Sequence, residues 1–140
     1  MSTALKTVRS IIADKVLELT GYRLSPHMPS YFGRTQDAIA HKAFTVDIAA
    51  TSAANERQRR GIVYCASTVR VTFAYRLRPL SAYPTDYDLA LDAEQAIIIK
   101  CLEPLDAELT IRYETTVRTV PDSSEYAIIT IELTALHTLP

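Results

Sequence analysis

The sequence predicts a single α+β domain in which two helices pack on an antiparallel four-stranded sheet. Three observations support this fold class. Apolar residues recur at helical spacing in two segments, they alternate with other residues in four segments, and the segments follow the order α-β-β-α-β-β. With 140 residues, 48% hydrophobic and 22% charged, the chain has the size and composition of one globular domain over residues 1–140.

The first helix is predicted over about residues 3–20. Its apolar stripe consists of Leu5, Val8, Ile12, Val16 and Leu19, spaced three or four residues apart. Gly21 follows as a stop signal. Residues 21–40 contain two prolines, two glycines and no periodicity, which indicates a long connector.

A long hairpin formed by the first two strands comes next. Residues 43–48 alternate, residues 50–61 form the predicted hairpin loop, and residues 63–78 alternate strictly. A strand that covers residues 63–78 spans roughly 50 Å, about three times the usual length. We therefore expect part of the hairpin to project beyond the sheet, with the loop at its tip.

The second helix is predicted over about residues 87–103, with Thr85 or Asp86 as its cap. It is apolar around most of its circumference, more than a helix on one face of an open sheet needs. We expect the first helix or a neighbouring subunit to cover its other side.

An antiparallel hairpin around residues 109–119 and 126–136 closes the chain. In the first of its strands the positions predicted to face inward are Leu109, Ile111, Tyr113 and Val117.

The net charge of −1 conceals an uneven distribution along the chain. Residues 1–85 contain 12 Lys and Arg against 5 Asp and Glu, a charge of +7, and residues 86–140 contain 3 against 11, a charge of −8. Either the two halves intermix within one domain, or a basic face meets the acidic face of the next copy.

Enzymatic and cofactor motifs are scarce. Neither a phosphate-binding glycine loop nor a nucleophile elbow is present, and His27, His41 and His137 lie in separate segments without metal-ligand spacing. We expect His41 and His137 to lie at the surface or at strand edges. Cys65 and Cys101 fit buried free thiols in a reducing cytoplasm.

These patterns predict a protein that is not an enzyme and that binds no cofactor or metal. The acidic pairs on the second helix are too close in sequence to face one another, and they are typical of capping and solvated positions. The longest apolar run has four residues, so we expect no membrane span.

The loop that contains Arg57, Arg59 and Arg60 leaves three interpretations open. It is a nucleic-acid contact, a subunit contact or pore-facing loop, or a solvated turn. The loop has no aromatic residue for base stacking, and the pI of about 6.3 is not the basic value of a typical nucleic-acid binder. The pattern therefore favours the subunit or pore-facing loop.

The element order resembles that of the tail terminator (tail completion) proteins of tailed bacteriophages. The resemblance includes the N-terminal amphipathic helix, the long hairpin from "AFTVDIA" to "IVYCASTVRVTFAYRLR", the helix opened by "TDYDLALDAEQAI" and the closing hairpin that ends in "AIITIELTAL". It covers most of the chain in order and length.

The resemblance implies a structural virion protein that assembles in the host cytoplasm as a homo-oligomeric, hexameric ring. Such a ring caps the head-proximal end of the tail tube and joins it to the neck, and DNA passes through its channel without being read. The partners would be other copies, the tail tube protein and a neck or connector protein. The alternatives are another neck or tail-completion protein, a component of a phage-like contractile apparatus, a small cytoplasmic enzyme with a site between subunits, and a nucleic-acid-binding module that uses the arginine hairpin.

Overall fold

The computed structural model describes residues 3–25, 41–54, 62–77, 83–104, 109–120 and 126–140. Two helices and five strands lie within these ranges. Their bounds are α1 (Leu5–Leu17), β1 (Arg23–Leu24), β2 (Ala43–Ala53), β3 (Val63–Arg76), α2 (Tyr83–Cys101), β4 (Thr110–Thr119) and β5 (Tyr126–Leu139). Neither helix combines the length and the apolar character that a membrane crossing requires in the ranges given above.

The five strands form one mixed sheet in the order β1-β2-β3-β5-β4. The β1–β2 pair is parallel, and the other three pairs are antiparallel. The α+β class and the two helices are confirmed. The antiparallel four-stranded sheet is wrong, because β1 adds a parallel strand and changes the chain order to α-β-β-β-α-β-β.

The additional strand β1 lies inside the segment predicted as a connector, residues 21–40. The ring of Tyr22 packs edge-on against two phenylalanine rings. Its centroid lies 6.4 Å from that of Phe44 and 6.1 Å from that of Phe73. This contact places the chain along the outer edge of β2, where the Ser25 N–H donates to the Phe44 carbonyl at 2.8 Å. A two-residue strand has no periodicity, so alternation could not reveal it.

The long hairpin does not project beyond the sheet. β3 and β5 have 14 residues each and pair along their whole length, so β5 supports the part of β3 that was expected to extend freely. β2 continues to Ala53, and residues 50–53 of the predicted loop are therefore strand. Residues 55–61 of the loop and 26–40 of the connector lie outside the described residues.

The core lies between the helices and one face of the sheet. Alternate side chains of β3 and β5 point to this face and meet the buried sides of α1 and α2. The largest fully buried side chains are Phe44, Phe73, Ile12, Ile97, Ile129, Ile131, Leu133, Val8, Val16, Val46, Val69 and Val71.

Helix α2 begins at Tyr83, earlier than the predicted start near residue 87. Pro84 lies in its first turn. Proline is unfavourable inside a helix, but the first-turn N–H groups have no acceptor within the helix, so proline is tolerated there. Asp86 adds a favourable negative charge to the same turn.

A β-bulge in β4 changes which of its side chains point to the helices. The pairing with β5 is irregular between Tyr113 and Thr115, which leaves Glu114 as the extra residue. Beyond the bulge the alternation is reversed. The inward prediction for Val117 is therefore wrong: its side chain is 60% exposed, and Arg118 points to α2 instead.

The two helices are joined by a buried cation. The Lys15 ammonium, on α1, donates to the carbonyl oxygens of Lys100 and Glu103 at 3.2 and 3.0 Å. These carbonyls belong to the C-terminal end of α2, where a helix leaves acceptors unsatisfied and favours positive charge. Lys100 in turn forms an ion pair with Glu18 of α1 at 2.6 Å.

A bidentate ion pair connects α2 with β4. The Arg118 guanidinium donates through Nε and Nη2 to the two carboxylate oxygens of Glu94, both at 2.6 Å. The Glu94 side chain is almost fully buried, and its carboxylate raises the pKa of Arg118. Two parallel charge-assisted bonds fix the orientation of both groups, so α2 is held at a defined position over the edge of the sheet.

Replacing Phe73 with alanine tests the core. We expect Phe73→Ala to lower the free energy of unfolding by about 3–5 kcal/mol, because it removes a fully buried ring that contacts Tyr22. The exposed edge substitution Val117→Thr should change it by less than about 0.5 kcal/mol. Urea denaturation followed by circular dichroism measures both values, and similar values for the two variants would contradict the described core.

A second prediction concerns alkaline pH. Burial raises the pKa of Cys101 to about 12 from its ordinary 9.0, so the thiol ionises in the unfolded chain before it does in the folded one. The stability linked to this thiol is complete below pH 9 and decreases towards pH 12. Between pH 9 and pH 12 the free energy of unfolding should therefore fall less steeply with pH in Cys101→Ala than in the unmodified protein. The difference in slope is up to about 1.4 kcal/mol per pH unit. Parallel slopes for the two proteins would contradict the assignment.

Candidate interaction surface and buried polar chain

One side of α2 exposes apolar side chains to solvent. Leu89 is 46% exposed, Ile99 57% and Leu102 40%, and Ala96 is also exposed between them. Their spacing places Leu89, Ala96 and Ile99 along one side of the helix, and Leu102 follows directly after its last residue, Cys101. We call this stripe, together with the exposed carboxylates of Asp88 and Asp92, the outer face of α2.

The outer face exists because α2 is apolar on two sides. On its inner side Ala90, Ile97 and Cys101 are fully buried against the sheet and α1. Packing on a sheet covers only one stripe of a helix. The described part of the chain therefore leaves the second apolar stripe, around Ile99, in contact with solvent.

The charge of the outer face is negative. Asp88 and Asp92 lie one turn apart on α2, and neither forms an ion pair with a residue that the structure describes. The positive charge of Lys100 is engaged with Glu18 and Glu103, at 2.6 and 3.2 Å. An apolar stripe flanked by free carboxylates fits a partner that is both apolar and basic.

The two edges of the sheet differ from each other. At one end, the outer edge of β4 has no neighbouring strand in the described part of the chain. At the other end, β1 pairs with Ala43 and Phe44, the first residues of β2. Further along the same edge of β2, the Arg9 side chain donates from Nε to the Val46 carbonyl. The bulge at Glu114 and the charge of Arg112 protect the β4 edge from unspecific strand pairing.

The face of the sheet that the helices leave open contains a shallow concavity of about 410 Å³. Its lining residues are Asp47, Arg70, Thr72, Thr115, Val117, Thr130 and Glu132. Arg70 and Glu132 form a 3.3 Å ion pair across β3 and β5, with both side chains in contact with solvent. Such a pair contributes about 0–1 kcal/mol, and the lining shows no arrangement of nucleophile and base.

A chain of hydrogen bonds, buried at Ser67, His137 and Thr3, lies under the N-terminal residues. The Ser67 hydroxyl lies 2.8 Å from Nε2 of His137, and Nδ1 of His137 lies 2.9 Å from the Thr3 carbonyl. A carbonyl only accepts, so Nδ1 is the protonated nitrogen and Nε2 accepts from Ser67. The Thr51 hydroxyl can then donate to Ser67 at 2.9 Å. The bonds run in one direction from Thr51 to Thr3.

The expectation that His137 lies at a surface or strand edge is wrong, since it is only 5% exposed. The end of β5 is covered by the N-terminal residues, and the Thr3 N–H donates to the Thr138 carbonyl at 2.7 Å. The sequence contained one usable signal. Ser67 is a polar residue among the inward-facing positions of β3, and a buried hydroxyl requires a partner.

Ser67 and His137 have the connectivity of a nucleophile and its base, with the base oriented by a carbonyl. Ser67, however, is fully buried, so a substrate carbonyl has no access to its oxygen. The Cys65 sulfur lies 3.5 Å from Nε2 of the same histidine, and burial raises the pKa of this thiol. The cluster therefore acts as an internal polar anchor that ties the N-terminal residues to the sheet.

The other residues singled out in the sequence are distributed as follows. Arg57, Arg59, Arg60 and His27 lie outside the described residues. His41 is exposed, and its Nδ1 accepts the Arg76 N–H at 3.0 Å. In the ranges that the structure describes, no group of three or more His, Cys, Asp or Glu side chains is placed to hold a metal ion.

Comparison with known proteins adds no family assignment. No protein-family model matches the chain, and a search of the curated proteins finds no match.

The buried polar chain can be tested with Ser67→Ala. This substitution leaves Nε2 of His137 buried without its donor, and we expect a loss of about 1–3 kcal/mol in the free energy of unfolding. Ser10→Ala is the matched control, because the Ser10 hydroxyl is exposed and bonds only to its own helix. It should cost less than about 0.5 kcal/mol. Equal losses in urea denaturation would show that the buried chain adds no stability.

Proposed function

We propose that this protein is a structural component that assembles with copies of itself into a closed ring, and that the ring is a tail terminator of a tailed bacteriophage. The observation that supports self-assembly is the exposed outer face of α2. Ile99 is 57% exposed there, beside Leu89 at 46% and Leu102 at 40%. Burying the exposed parts of Leu89, Ile99 and Leu102 in a subunit contact would contribute about 1 kcal/mol each, roughly half of full burial.

A ring fits this chain better than a two-fold dimer does. A two-fold contact uses the same patch on both copies, whereas a ring joins two different patches. The chain has different surfaces to offer, since the β4 and β2 edges are unlike and the outer face of α2 is both apolar and acidic. A contact between two unlike surfaces, repeated around an axis, closes a ring.

The phage assignment rests on the resemblance in element order. The N-terminal helix, the paired long strands, the second helix and the closing hairpin occur in the expected sequence, with β1 as an addition. In this proposal the ring caps the tail tube and contacts the neck protein, and DNA passes through it without sequence-specific contacts. Arg57, Arg59 and Arg60 would lie at a subunit contact or face the channel.

The decisive experiment is the mass of the purified protein, measured by size-exclusion chromatography with light scattering. We expect a hexamer of about 94 kDa, six times the chain mass of 15.6 kDa. A species of 15.6 kDa that persists at high protein concentration would refute self-assembly.

The phage role needs a separate measurement. Added to a polymerising tail tube protein, the ring should stop tube growth, and electron micrographs should show it at one end of each tube. Strong DNA affinity that falls steeply with salt, and that is lost when Arg57, Arg59 and Arg60 are replaced by alanine, would favour the nucleic-acid module instead.

A further inference from the structure

We propose that the outer face of α2 is the docking site for residues 55–61 of the next copy in the ring. This inference rests on the proposed self-assembly and names the two surfaces that meet. The site is described by its apolar stripe around Ile99 and by the carboxylates of Asp88 and Asp92.

The occupant is identified by its charge. Residues 55–61, "NERQRRG", contain Arg57, Arg59 and Arg60 against a single acidic residue, a net charge of +2 in seven residues. Three guanidinium groups can pair with carboxylates one helical turn apart, and arginine forms such contacts in two-point geometry. The segment therefore supplies the positive charge that the outer face of α2 lacks.

Apolar residues flank the same segment. Ile62 and Val63, directly after it, are 37% and 47% exposed, and Ala53 on the neighbouring strand is exposed as well. These side chains can cover Leu89 or Ile99 while the arginines reach the carboxylates. A contact with an apolar centre and a charged rim is the usual composition of a specific protein interface.

The segment belongs to the next copy because a ring joins two different patches. The outer face of α2 and residues 55–61 are two such patches of one chain.

Two charge-reversed variants test the contact. The first has Asp88→Arg with Asp92→Arg on the outer face, and the second has Arg59→Glu with Arg60→Glu. Each variant alone places like charges at every contact of the ring. We expect each to be monomeric, with a dissociation constant at least tenfold higher than that of the unmodified protein.

An equimolar mixture of the two variants should assemble again. The reversed outer face of one fits the reversed segment of the other, and the converse contact also pairs opposite charges, so the two alternate around a ring with an even number of subunits. Light scattering gives the mass, and native mass spectrometry gives the one-to-one composition.

Asp14→Arg is the matched control, since Asp14 lies on the exposed side of α1. It should assemble as the unmodified protein does, and circular dichroism should show all variants folded. If the unmodified protein is a ring and either reversed variant still assembles, the docking site is wrong and the ring proposal stands. A mixture that stays monomeric overturns the docking site too. If the unmodified protein is a monomer, the proposed function itself fails.

Discussion

The pairing of β3 with β5 is the constraint on which the rest of the fold depends. These two strands contribute 14 residues each and pair without any irregularity, while both flanking pairs contain a bulge. Alternation over this length gives the sheet one apolar face, on which both helices pack. A shift of β5 by one residue would turn Ile131 to the open face and polar Thr130 into the core, so the register has a single favourable solution.

Cationic side chains then fix the elements that surround this central pair. Arg9 donates to a free carbonyl of β2, Lys15 to the C-terminal carbonyls of α2, and Arg118 to Glu94. Each contact satisfies a group that burial or a strand edge would otherwise leave unpaired. The apolar stripe around Ile99 therefore remains available, because α2 is already held in place from its other side and from its end.

Periodicity in the sequence predicted the elements that are long and regular, namely the two helices and the central strands. It failed where a local contact overrides the pattern. The two residues of β1 are positioned by the Tyr22 ring, a single extra residue at Glu114 reverses the second half of β4, and Pro84 is tolerated because it opens a helix. For the candidate surface, the all-round apolar character of α2 indicated that its own sheet would not cover it. The burial of His137 depends on a contact between distant ends of the chain, which no local pattern contains.

The contact between Thr3 and Thr138 has a consequence for the connectivity of the fold. Their backbone groups are hydrogen-bonded at 2.7 Å, so these two positions, far apart along the sequence, are adjacent in space. A short peptide could link these two positions without distorting the sheet. The order of the elements along the chain is thus separable from their arrangement in space, and the same architecture is open to circular permutation.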